Sequence, residues 1–198
     1  MANQNGSRVS FEHTTTEDIQ ADSVTLHQSS ARDIRAKSAH ITQSSAQTIE
    51  ADTVTIRQGG AQQISTTEAT IRQGGAVQVT TQSVDITQGG VVFAQTDQAT
   101  CTSSTVGGVM AGGNVILDQS TAKGVVARGN ATVDQGGVGV LAGRDITVKN
   151  SGVGLIFAWR MEGDVKPLLG PTEAAAFGAL FGLAFAIFFW LKNKVMDR

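Results

Sequence analysis

The chain has no tyrosine, two prolines and one cysteine, and only 16% of its 198 residues carry charged side chains. A lone thiol, Cys101, cannot close an internal disulfide, so no covalent framework is expected. Lysine and arginine number 15 against 17 for aspartate and glutamate. Without a basic excess to meet a phosphate backbone, DNA and RNA are not expected partners. The opening residues, MANQNGSRVS, lack the basic patch and apolar run of a secretory signal, and no such signal is expected. Long apolar runs are missing outside 174–191.

Glycine, by contrast, is abundant at 23 residues, and it recurs at an interval. The stretch TIRQGG appears at Thr55 to Gly60 and again at Thr70 to Gly75, fifteen residues on. Starting at Arg8 the chain divides into ten units, beginning at 8, 23, 38, 53, 68, 83, 98, 114, 130 and 145. The units beginning at 98 and 114 hold one extra residue each, Gly113 and Gly129. Fifteen residues are too few for a helical hairpin, so each unit is read as one turn of a strand-built solenoid.

With the first residue of a unit called position 1, position 4 holds Phe11, Leu26, Ile41, Ile56, Ile71, Ile86, Cys101, Leu117, Val133 and Val148. Position 12 runs from Ile19 and Ile34 to Leu141 and Ile156, and positions 2, 7, 9 and 14 are also apolar or small. Three inward pairs, each two residues apart and five residues from the next, describe three short strands per turn. The expected fold is therefore all-β: a three-sided parallel β-solenoid of about ten 15-residue coils, roughly 48 Å long at about 4.8 Å per coil. Position 6 is nearly always glutamine, from Gln28 to Gln135, and its amides are placed to hydrogen-bond along the axis. The small residues after it, such as Gly59 and Gly60, are expected at a sharp corner where glycine accepts positive φ.

This periodicity removes several chemical readings. A phosphate loop needs one glycine cluster between a strand and a helix, followed by Lys and Ser or Thr; a motif repeated at every turn is not that, and no nucleotide or other cofactor is expected. His13, His27 and His40 fall at different positions of the unit and form no metal set. The acids lie mostly in the early turns without a convergent cleft, so enzymatic activity is not expected. Cys101 sits at an inward position and reads as a small core residue.

Two features point instead to association. At outward positions 11 and 13 the first five turns carry polar residues, whereas later turns carry Phe93, Met110, Val126, Val140, Leu155 and Phe157. This apolar stretch is read as a homo-oligomer interface, with lipid contact as the second choice. The uncharged run at 174–191 is long enough for a single-pass transmembrane helix, about 27 Å at about 1.5 Å per residue. Trp190, Lys192 and Lys194 would anchor its end at headgroup depth. Ala174, Gly178, Gly182 and Ala186 place small residues every fourth position, the pattern of tight helix packing in a bilayer.

The expected layout is a disordered N-terminus at 1–7, the solenoid at 8–159, a cap and linker at 160–173, the span at 174–191 and a basic tail at 192–198. The run GNVILDQSTAKGVVARGNATVDQGG, from Gly113 to Gly137, resembles the bactofilins, bacterial polymer-forming cytoskeletal proteins built as triangular β-helices. That resemblance covers the solenoid only. Bactofilin repeats are usually longer, and a C-terminal span departs from their layout. It implies nucleotide-free self-assembly and scaffolding and transfers no site residues. The expected protein is a membrane-anchored scaffold whose partners are further copies of itself and the lipid bilayer. The alternative is an accessory or glycan-binding subunit of a larger membrane complex. Its charges are nearly balanced about the span, and the absence of a signal favours a cytoplasmic solenoid in the cell membrane.

Overall fold

The computed structural model describes the backbone at residues 2–3 and 8–167 and the side chains of 8–163. The expected span at 174–191, with Ala174, Gly178, Gly182, Ala186 and Trp190, lies outside the described residues, as do Lys192 and Lys194 of the basic tail. No helix among the described residues is long and apolar enough to cross a membrane.

Within that range the fold is an all-β parallel solenoid of about nine coils. The strand Thr15–His27 lies parallel on Ser30–Thr42, in a register that pairs Ile19 with Ile34 and Leu26 with Ile41. Ser30–Thr42 lies in turn on Ser45–Arg57, and that strand on Gly60–Arg72, each with the same fifteen-residue offset. Glu17 and Asp22 drop out of the pairing, and residues 28–29 leave it again, so each winding is cut into three runs. The register marks ten units, but ten corner residues from His13 to Asn150 enclose only nine full windings. The final strand, Gly137–Pro167, continues past 159, the sequence-based end of the solenoid. There Gly163 comes to lie against Val148, its counterpart one winding earlier.

Alternation within each run follows from extended backbone: neighbouring side chains point to opposite faces, and the apolar ones share the inside. Leu26, Ile41, Ile56, Ile71 and Ile86 form one buried column, continued by Cys101, Leu117, Val133 and Val148. A second column runs through Ile19, Ile34, Ile49, Ile64 and Val79 to Leu141. The core is one residue wide per column, so each side chain packs mainly on its own counterparts above and below.

The corners differ from expectation in one respect. Positive φ belongs to the residue before the glycines: His13, Gln28, Gln43, Gln58, Gln73, Gln88, Ser103, Gln119, Gln135 and Asn150 all lie between 48° and 54°. The left-handed conformation disfavours an ordinary side chain by about 1–2 kcal/mol. Local bonding offsets that cost. Gln58 Nε2 donates to Gln73 Oε1 at 3.3 Å, and Gln43 Nε2 to Gln58 Oε1 at 3.2 Å. The Gln58 backbone N–H also donates to the Arg72 carbonyl of the next coil at 3.0 Å.

Glycine at position 7 answers a different need. A Cβ at Gly74 would collide with the carbonyl oxygen of Gly59 on the preceding coil, so the requirement is close approach rather than handedness. Where serine takes this place it is buried and bonded. Ser44 Oγ donates to the Thr42 carbonyl at 2.8 Å and accepts the Ser29 N–H at 2.9 Å.

The extra residues Gly113 and Gly129 are absorbed at the corner between the third and first runs. The Gly113 N–H donates to the Asp97 carbonyl at 2.8 Å and the Gly129 N–H to the Gly113 carbonyl at 3.0 Å. A Cβ at Gly129 would lie 2.8 Å from the backbone carbonyl oxygen of Gly113, which accounts for glycine at the insertion.

Replacing Gln58 by Val should destabilise the solenoid by about 1–2 kcal/mol, because a β-branched side chain is held at positive φ and the amide bond is lost. Gln58→Asn should be milder, since asparagine tolerates this conformation. Denaturant unfolding of both variants, read by circular dichroism, checks the order.

Candidate interaction face

The third run of each winding places positions 11 and 13 outward, and parallel pairing turns them into two columns. One column passes from Gln78 to Phe93, Gly108, Gly124 and Val140. The other passes from Thr80 to Gln95, Met110, Val126 and Ala142. All six residues expected at the interface are solvent-exposed, from 37% at Phe93 and 39% at Val140 and Leu155 to 62% at Phe157. The register brings Phe93, Met110, Val126 and Val140 onto one continuous surface. Leu155 and Phe157 follow one winding after Val140 and Ala142.

The surface has relief. A Cβ at Gly108 would lie 3.3 Å from Cδ2 of Phe93, so glycine lets that ring lie down over the next coil. A Cβ at Gly124 would meet nothing within 4 Å, which leaves a dent between Phe93 and Val140. Met110 and Val126 stand beside the dent.

The earlier half of the same face is polar and partly ion-paired. Arg35 Nε lies 3.0 Å from Glu50 Oε2 on that face, and Lys37 Nζ lies 2.9 Å from Asp22 Oδ1 on the adjoining position 15 corner. Both pairs are largely exposed, where solvent screening leaves them little net effect on stability.

Some exposed apolar residues were not picked out from the sequence. Val77 and Val92 are 52% and 61% exposed at position 10, on the corner beside Phe93, so the apolar surface begins a coil earlier and wraps an edge. The signal was present in that column, where Glu17, Arg32, Gln47 and Gln62 give way to Val77 and Val92. Among the described residues Trp159, at 95%, is the most exposed of the large apolar side chains, and Met161 is also open.

Chemistry-bearing groups are sparse. Among the described residues no group of three His, Cys, Asp or Glu side chains could hold a metal ion. Cys101 is fully buried in the position 4 column. Burial first, and then the negative charge of Asp85, pushes its thiol up to about 12.

The described chain is thus a parallel β-solenoid repeat protein with an asymmetric outer face. No family model, curated protein or solved structure matches it. The solenoid is the part of the bactofilin resemblance that the structure carries, and no family match extends it.

The Cys101 shift has a testable sign. The unfolded thiol ionises near the ordinary value of 9.0 while the folded one keeps its proton to about 12. Stability is unaffected by this group below pH 9 and falls as pH rises towards 12, because only the unfolded state releases the proton there. Cys101→Ala should flatten that alkaline slope in pH-dependent urea unfolding. A thiol reagent at pH 8 should label wild-type Cys101 only after denaturation.

Proposed function

We propose that this protein is a non-enzymatic, membrane-anchored scaffold that self-associates side by side through the apolar half of its third face. Phe93, Met110, Val126, Val140, Leu155 and Phe157 would make the lateral contact. The observation that carries this reading is the change of one outward face from polar to apolar halfway along a regular repeat. A solenoid's other outward columns stay mostly polar at no cost to the core, so an apolar half-face is not a by-product of folding. Contiguous exposed apolar surface of this kind marks association sites.

The size of the face limits what it does alone. Five windings at about 4.8 Å, with a run about 16 Å wide, give about 400 Å² per copy. A standard stable interface buries about 800 Å² per partner. Lateral contact between solenoids is therefore weak by itself and needs a second contact. The sequence offers one in the small-residue stripe Ala174, Gly178, Gly182 and Ala186, which suits close helix packing within a bilayer. Confinement of the anchors to one membrane raises the effective concentration of the solenoids, and two weak contacts then act as one stronger one. A cyclic homo-oligomer in the cell membrane, with cytoplasmic solenoids, satisfies both surfaces.

The expected outcome is that the full chain, extracted in mild detergent, runs as an oligomer by native mass spectrometry. Leu155→Asp with Phe157→Asp should convert it to monomer, since two buried charges at the contact have no partners. Gln63→Asp on the polar half should leave it unchanged. An oligomer mass unaffected by the Leu155/Phe157 pair rejects the lateral contact, and a wild-type chain extracted only with other subunits rejects the scaffold reading.

A further inference from the structure

We propose that the last two windings carry a headgroup-binding notch for an anionic phospholipid at a bilayer surface, formed by Arg144, Phe157 and Trp159 over Gly143 and Ala158. This goes beyond the lateral contact, and it uses only the membrane placement of the proposed function. These five residues line one cavity on the surface of the solenoid. Its floor is open because positions 143 and 158 carry no side chain larger than a methyl group. A Cβ at Gly143 would already press on Ile146 Cγ1 at 3.2 Å, so the site does not take a larger residue without disturbing the core.

Arg144 and Trp159 are fifteen residues apart and occupy the same outward column on successive windings. The register is confirmed next to them, where Arg160 Nη1 reaches Asp145 Oδ1 at 3.9 Å across the same offset. That pair engages the neighbouring carboxylate, and Arg144 forms no ion pair among the described residues. A free guanidinium beside two exposed aromatic rings suits a ligand with a phosphate and an apolar body. The planar fork binds phosphate oxygens through paired hydrogen bonds, and indole settles at the boundary between headgroups and acyl chains. A soluble anion would use the arginine but leave Trp159 and Phe157 in water. A second copy on the lateral face would meet Phe157, at position 13, but would leave Arg144 and Trp159, at position 15, uncovered.

Charge along the solenoid favours the same partner. Residues 8–97 hold six basic and ten acidic side chains, a net charge of -4; residues 98–163 hold five and four, a net charge of +1. Arg128 precedes Arg144 in the same column and extends the basic stretch. An anionic surface attracts this end and repels the other.

The test uses the full chain with Trp190→Phe, which leaves Trp159 as its one tryptophan. It is mixed with vesicles of phosphatidylcholine, with or without phosphatidylserine, containing brominated acyl chains, and floated. Trp159 emission should shift to the blue and be quenched by the bromines, more strongly with phosphatidylserine. Arg144→Gln should weaken the phosphatidylserine-dependent part about fivefold, the equivalent of about 1 kcal/mol. Flotation with Trp159 unquenched in both lipid mixtures overturns the notch and leaves the anchor standing. Flotation that needs phosphatidylserine and is lost on combining Arg144→Gln with Trp159→Ala supports the notch and overturns the anchor. No flotation with either mixture overturns both.

Discussion

Parallel backbone pairing at a fixed fifteen-residue offset holds this molecule together. Each run finds its hydrogen-bond partners on the winding before and the winding after, so a change of length anywhere must be taken up before the next run begins. The two one-residue insertions show how narrow the allowance is. Both fall at the same corner, both are glycine, and both are bonded back to the preceding coil at once. Inside, the offset stacks like on like, and isoleucine lies on isoleucine from Ile34 to Ile64. Such a core gains stability by adding windings rather than by becoming thicker.

The same offset governs the exterior. Once the register is set, outward residues cannot wander; they form straight columns whose chemistry can be graded along the axis. In the third run the grade goes from ion-paired and polar, with Arg35 against Glu50, to apolar, with Met110 against Val126. Glycines at 108 and 124 give that second half its relief, because Phe93 lies over one and nothing fills the space above the other. Surface pattern is what this framework delivers among the described residues. Its buried thiol is insulated by the core, and its histidines are spread over separate columns.

A surface of this kind fits association in stages. Under the proposed function, the apolar face would be too small to hold copies together in solution at ordinary concentrations, but would select orientation if an anchor held the chains in one plane. The notch around Arg144 and Trp159 would add a contact of different chemistry on the adjacent corner. The two surfaces meet at Phe157, which borders both, while Arg144 and Trp159 stand on the corner outside the lateral columns. Acidic side chains dominate the opposite end and would keep it from such an anionic surface.

Much of this was legible from residue order because period and inward alternation are local, repeated properties. The buried columns through Leu26 and Ile34, the parallel repeat, and the exposure of Phe93, Met110 and Phe157 all follow from counting. Corner geometry was not legible in the same way. Glycine's tolerance of positive φ suggested Gly59 and Gly74, yet the left-handed residue is the glutamine before them. Its conformational cost is met by amides and carbonyls one winding away, and sequence order does not rank those contacts. The same holds for the end of the solenoid: Trp159 and Arg144 lie fifteen positions apart in the chain and become neighbours only through the stacking of windings. What residue order alone determined was the interval and the identity of each column, because these depend on spacing. Tertiary structure decided which backbone atoms bear strain and which distant side chains share a surface, because both depend on contacts between coils.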